Sequence, residues 1–153
     1  MLNRKNNMHF SLSETSDLAK NSESYKLVYT FKFAQADVCD FAELTGDNNP
    51  IHLDQTYAQG TIFKKPIVQG FLVGSIFSRI FGTEYPGIGT IYLSQSMQFL
   101  APVFIDEFYM AHITVKEVNL RKHRAVILTE IFDSLGKKVL TGDAFIQHSI
   151  FQS

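Results

Sequence analysis

One stretch of this chain, Ile67 to Phe81 (IVQGFLVGSIFSRIF), is the best candidate for a long helix, and nothing but alternating segments follows it. Phe71, Leu72, Ile76, Phe77 and Ile80 supply its apolar bulk, while Gly74, Ser75 and Ser78 keep part of its surface small. Small residues three or four apart let another segment approach the helix closely, as when a sheet wraps it. Gln69, Gly70, Gly74, Ser75, Ser78 and Arg79 interrupt the stretch, and at fifteen residues it falls short of the ~20 apolar residues a bilayer span requires. Gly82, Pro86, Gly87 and Gly89 mark its exit.

Beyond that exit, Thr90 to Phe99 alternates Ile91, Leu93, Met97 and Phe99 with Tyr92, Ser94, Ser96 and Gln98, the period of a half-buried strand. Phe108–Val118, Arg124–Asp133 and Lys137–His148 continue in the same period, with Asp133-Ser-Leu-Gly136 as a hairpin turn between the last two. Before the long helix, Tyr25–Phe33 predicts a strand with Leu27, Tyr29, Phe31 and Phe33 on one side. Asp37–Thr45 predicts a short helix closed by Gly46, Gly46–Leu53 a loop, and Asp54 the cap of a helical turn through Ala58. One strand, helical segments and then a run of strands make an α+β fold, an antiparallel sheet on one long helix. Residues 1–24, rich in Asn, Ser, Lys and Glu without periodicity, are expected to be a mobile tail, and residues 25–153 a single domain.

Composition narrows the function. With 45% hydrophobic and 19% charged residues, the chain is globular, and a formal charge of −1 gives no basic surface for nucleic acid. The single cysteine, Cys39, excludes an internal disulfide and a Cys-based zinc cluster, and it fits a small buried hydrophobe better than a nucleophile. The N-terminus lacks the apolar run of a signal peptide, so a cytoplasmic location and no membrane association are expected. No spacing of His with Asp or Glu recommends a metal site. His9, His112 and His148 read as solvated or structural.

The chemistry concentrates in Phe41–Asp54, FAELTGDNNPIHLD, where Asp47 precedes His52 by five residues and Pro50 stiffens the link. A carboxylate and an imidazole so placed could hold one water, take a proton from it and return one elsewhere. Asp and Asn beside a Pro are equally ordinary turn residues, and spacing alone does not decide between the two readings.

The wider pattern goes further. TGDNNPIHLD resembles the hydratase motif of the MaoC-like family, Thr/Ser-Gly-Asp-x-Asn-Pro-Ile/Leu-His-x-Asp, met here by Thr45, Gly46, Asp47, Asn49, Pro50, Ile51, His52 and Asp54. PIVQGFLVGSIFSRIFG and GTIYLSQSMQFLAPVFIDE are similar to the family's central helix and following strand. The resemblance covers about residues 25–148. It implies a hot-dog fold, an antiparallel sheet wrapped around a long central helix. It also implies a cofactor-free hydro-lyase for R-3-hydroxyacyl and trans-2-enoyl thioesters, as in R-specific enoyl-CoA hydratases and 3-hydroxyacyl-thioester dehydratases.

On that resemblance Asp47 and His52 hold the water that adds to C3, and the backbone N–H of Gly70 holds the thioester carbonyl. Asn49 steadies the loop or assists the water, and Ser78 supports the polar network or is a plain helix-surface hydroxyl. The family commonly has His-Gly where this chain has Gln69-Gly70, a change that leaves the Gly70 N–H in place. A homodimer joined edge to edge is implied, with either coenzyme A or an acyl carrier protein as carrier. Lys64, Lys65, Arg121, Lys122 and Arg124 are candidates to meet that carrier's phosphates or acidic face, and Phe71, Leu72, Phe77, Tyr92 and Met97 to line an acyl tunnel. Two other readings stay open: a hot-dog thioesterase, and a non-catalytic acyl-thioester binding domain.

Overall fold

A computed structural model describes residues 26–151, and the tail expected over residues 1–24 lies outside them. Strand β1 (Lys26–Phe31) follows its sequence period: Leu27, Tyr29 and Phe31 turn inward, and Lys26, Val28 and Thr30 face solvent. Helix α1 (Gln35–Thr45) starts two residues before Asp37, because the Asp37 carboxylate reaches back from the third helical position to the Ala34 N–H at 2.8 Å. Val38 and Ala42 are its buried residues. Cys39 is exposed, contrary to expectation, since it stands about 100° around the helix from Val38.

Gly46 closes α1 at φ +79°, its N–H donating to Ala42 O at 2.8 Å. The expected loop over residues 46–53 instead contains a turn of helix, α2 (Pro50–Leu53). Asn49 Oδ1 accepts the Ile51 N–H, and Pro50 at the first position has its φ preset for a helix. Asp54 caps α3 (Gln55–Gln59) by accepting the Tyr57 N–H at 2.9 Å.

The long helix α4 spans Gly70–Thr83, three residues later at its start than the apolar stretch suggested. Ile67 and Val68 are extended because they are tied elsewhere: Ile67 N–H donates to Ile51 O and Val68 N–H to Val103 O. Val73, Ile76, Phe77, Ile80 and Phe81 form the buried stripe of α4. Five strands lie in the order β1-β4-β5-β6-β2, all antiparallel: β2 (Ile91–Gln95), β4 (Tyr109–Asn119), β5 (Arg124–Asp133) and β6 (Lys138–Gln147), with β3 (Gln98–Phe99) also on β6. Ala111, Ile113, Val115, Ala125, Ile127, Ile131, Ala144 and Ile146 close the sheet's inner face over the α4 stripe in one core. This is the hot-dog arrangement. Burying one such Ile contributes roughly 1.5–3 kcal/mol. The Asp133–Gly136 turn forms as expected, with Gly136 at φ +81° and the Asp133 carboxylate accepting the Leu135 and Lys137 N–H groups.

Two departures from regular pairing shape the region near the start of α4. The strand expected over residues 90–99 breaks at Ser96, whose backbone crosses Gly142 of β6 so closely that a Cβ there would lie 1.8 Å from Ser96 O. Of the two alternating faces, Ile91 and Leu93 take the outer one, 54% and 39% exposed, and Tyr92 turns inward onto Phe81. On β6, a register shift against Ile131/Phe132 brings the consecutive residues Val139 and Leu140 both to the buried side.

Candidate active site

Most motif side chains hold the turns, and Asp47 takes a share through Oδ1, which accepts the Asn49 N–H at 3.5 Å. Thr45 Oγ1 donates to Phe41 O and accepts the Asp47 N–H, Gly46 ends α1, Asn49 caps α2, and Asp54 caps α3. The Asn49 side chain is thus engaged in the turn into α2. These groups are spent on turning the chain through two helix boundaries within ten residues. The Asp47 carboxylate and the His52 ring are left facing each other, with Oδ2 and Nε2 3.9 Å apart.

The ring's other nitrogen fixes the tautomer of the neutral form. His52 Nδ1 lies 2.7 Å from Ile67 O, and a carbonyl only accepts, so Nδ1 carries the hydrogen. In the neutral ring Nε2 is then an unprotonated acceptor, directed at the Asp47 side. At 3.9 Å the two groups are too far apart for a direct hydrogen bond and close enough for one water to bridge them. The side chain of His52 is 11% exposed and that of Asp47 46%, so the imidazole closes the inside of the pair and the carboxylate its solvent side.

His52 is also the polar end of an apolar cavity of about 420 Å³, within the ~300–1,000 Å³ usual for ligand sites. Its walls are Ile67 and Val68, the start of α4 at Gly70 and Val73, the segment Phe99–Val103, and the bulged pair Val139 and Leu140. Hydrogen bonds close this box: Val68 N–H to Val103 O, and Leu100 and Ala101 N–H both to Val139 O. Gly70 opens α4, so its N–H has no acceptor within the helix, and the residue lines the cavity at the positive end of the helix dipole. Gln69, just before it, is buried and donates from Nε2 to Val38 O, joining the start of α4 to α1.

Asp47, His52, Asn49 and Gly70 are thus brought into one region. Ser78 is not: it is exposed on α4, eight residues and ~12 Å along the axis from Gly70. None of Phe71, Leu72, Phe77, Tyr92 and Met97 lines the cavity. Phe71 is 72% exposed, Phe77 and Tyr92 pack in the core, and Met97 lies against Gly74. The lining aromatics are Phe63 and Phe99, and alternation from Met97 was the available signal for Phe99. Of the basic residues, Lys65 is spent on Glu107 and the Phe104 ring, and Arg124 on Gln147.

The sequence profile of the MaoC like domain matches residues 18–134. The (R)-specific enoyl-CoA hydratase of Aeromonas caviae is 40% identical over 116 residues, covering 76% of this chain and 87% of that protein. The mitochondrial 3-hydroxyacyl-[acyl-carrier-protein] dehydratase FERN of Solanum lycopersicum is 34% identical over 136 residues, 88% of this chain and 80% of that one. The solved structure of the A. caviae (R)-hydratase involved in PHA biosynthesis superposes with a TM-score of 0.77 at 39% identity, over 80% of this chain and 93% of that one. A hot-dog sheet around α4, a complete hydratase motif and relatives alike over most of their length lead to one conclusion: the chain belongs to the MaoC-like dehydratase family.

Proposed function

We propose that this protein is a hydro-lyase that interconverts trans-2-enoyl and R-3-hydroxyacyl thioesters, with the Asp47–His52 pair as its acid–base group. The observation that carries this reading is the 3.9 Å approach of Asp47 Oδ2 to His52 Nε2 at the head of an apolar cavity. An acyl tail fits the cavity, which leaves the enoyl carbons beside the pair and the carbonyl at the Gly70 N–H.

In hydration, a water held between Oδ2 and Nε2 gives a proton to the pair as its oxygen bonds to C3. The C2–C3 π electrons move to the thioester oxygen, where the Gly70 N–H and the α4 dipole stabilise the enolate. The enolate then collapses and C2 takes the proton back from the pair, so water has added and the residues return to their starting state. The proton in transit belongs to the coupled pair. Positive charge on the ring is offset by the carboxylate on one side and by Ile67 O on the other. Dehydration is the reverse. No cofactor takes part in these steps, and the carrier is coenzyme A or an acyl carrier protein.

A second copy of the chain completes the assembly in this proposal. Strand β2 ends the sheet with one side unpaired among the described residues, and carries Ile91 and Leu93 outward. An unprotected apolar edge is a pairing site, and edge-to-edge pairing of two β2 strands covers it. No described helix is long and apolar enough to cross a membrane, and with one cysteine in the chain we place the enzyme in the cytoplasm.

The test is purified protein with crotonyl-CoA, followed by loss of enoyl-thioester absorbance and chirality of the product, with Asp47→Asn and His52→Ala in parallel. Hydration to the R-3-hydroxy product, lowered about 10²-fold or more in both variants, is the expected result. Free CoA without hydration identifies a thioesterase. Binding without turnover of crotonyl-CoA, longer enoyl-CoAs or enoyl carrier protein identifies a binding domain.

A further inference from the structure

We propose that Phe99 is the residue that sets acyl-chain selectivity, its ring lying on Gly70 and forming part of the wall of the cavity that both line. The proposal rests on the thioester reading of the site. A Cβ built on Gly70 would lie 3.0 Å from both Cε1 and Cζ of Phe99, so the ring edge rests on the first turn of α4 and fills the space a side chain at 70 would take. The glycine thus admits the ring as well as a substrate. Phe99 is 51% exposed, with part of its surface on the cavity that His52, Gly70 and Leu140 also line.

The backbone at Phe99 is held while the ring is not enclosed. Strand β3 is two residues long, with Phe99 opposite Leu140, and the next two N–H groups donate to Val139 O. A ring on a fixed hinge point, half out of the fold and against the helix start, gives a short acyl group a surface to pack on. It also stands in the way of a longer or bulkier one. Met97, two residues earlier on the same side, packs on Gly74 one turn further along α4, where a Cβ would lie 2.6 Å from its sulfur.

The experiment measures binding of butyryl-CoA and octanoyl-CoA, saturated thioesters that cannot be hydrated, to wild type, Phe99→Leu and Phe99→Ala by calorimetry. Phe99→Ala is expected to raise the octanoyl-over-butyryl preference by about tenfold or more, with Phe99→Leu between it and wild type. A preference within about twofold of wild type in both variants overturns the proposal, as does a wild type that binds neither thioester. If circular dichroism shows Phe99→Ala unfolded, Phe99→Leu, which keeps an apolar side chain over Leu140, decides alone at a change of about threefold. The readout needs no turnover: altered selectivity in a protein that hydrates nothing defeats the hydro-lyase reading alone, and unaltered selectivity in an active hydratase defeats this one alone.

Discussion

The Nδ1 of His52 and the carbonyl oxygen of Ile67 stand 2.7 Å apart, across fifteen residues of sequence. That contact joins the motif helix α2 to the segment leading into α4, and it assigns the ring hydrogen to the side away from Asp47. The tautomer of the neutral ring is therefore a consequence of how Ile67 is held extended.

If Asp47 and His52 act on one water, their losses overlap. Asp47→Asn and His52→Ala should each lower kcat on an enoyl thioester about 10²–10⁴-fold, and the double variant should be no slower than the worse single. Independent roles would make the losses multiply. Asp47 is half-exposed, so the Asp47→Asn protein should unfold within about 0.5 kcal/mol of wild type.

Leu93 stands on the outer edge strand, and a lysine there places a charge where two β2 strands would meet. Sedimentation of wild type should give twice the 17.4 kDa chain mass, and Leu93→Lys should shift the population toward a single chain. Wild type sedimenting at the single-chain mass would remove the dimer from the proposal.

Gly142 should accept no side chain. Its Cβ would lie 1.8 Å from Ser96 O and 2.7 Å from Ser96 C, both backbone atoms, so relief requires moving the strand. Gly142→Ala is expected to cost ~3 kcal/mol or more, the upper end of overpacking, and to lower the thermal midpoint by about 6 °C or more. Gly136→Ala is the comparison: nothing lies within 4 Å of its Cβ, and only the φ of +81° resists. It should cost about 1–2 kcal/mol.

How legible each feature was depends on how far apart its causes lie. The motif was readable because Thr45, Gly46, Asn49, Pro50 and Asp54 cap and turn within their own neighbourhood, and the sheet because β5, the first half of β4 and the second half of β6 alternate. The break of the expected 90–99 strand was not, since it depends on Gly142, forty-six residues beyond Ser96. The outward turn of Ile91 and Leu93 was hidden for a related reason: alternation gives two faces without saying which is inside, and an apolar edge strand shows a core-like pattern on the exposed one. The cavity was the least legible part, because it arises where a bulge turns both Val139 and Leu140 inward opposite Phe99. Ser78 keeps the helical spacing of Gly70 and Gly74 but not their neighbours.

His112 predicts a pH dependence of stability. It projects from β4 onto the Phe132 ring at 4.6 Å, with Nδ1 buried and unpartnered among the described residues. Burial first, then the Lys26 charge, holds it below the ordinary value of 6.5, against an opposing pull from Glu130. In the unfolded chain the ring protonates as pH falls through 6.5, while the folded protein resists, so the unfolded state binds more protons. Stability from this site is complete above that value and is lost as pH falls through the lowered folded one. The drop in thermal midpoint between about pH 7.5 and about pH 5 should be smaller in His112→Leu than in wild type. An equal drop in both would show that other groups carry the acid response.

The contact between Gly70 and Phe99 can be read through a double substitution. Gly70→Ala keeps the backbone N–H proposed to hold the carbonyl, and adds a Cβ 3.0 Å from two ring carbons of Phe99. If that collision is what the alanine brings, the ring must swing outward or α4 must shift, and hydration of crotonyl-CoA should fall about tenfold or more, as a misplaced site commonly costs. Phe99→Leu shortens the side chain that is struck, so Gly70→Ala in that background should cost at least about threefold less than in wild type, a coupling expected of residues in contact. An equal cost in both backgrounds would mean that the alanine acts on the substrate itself, and that the glycine is required by the carbonyl's approach rather than by the ring.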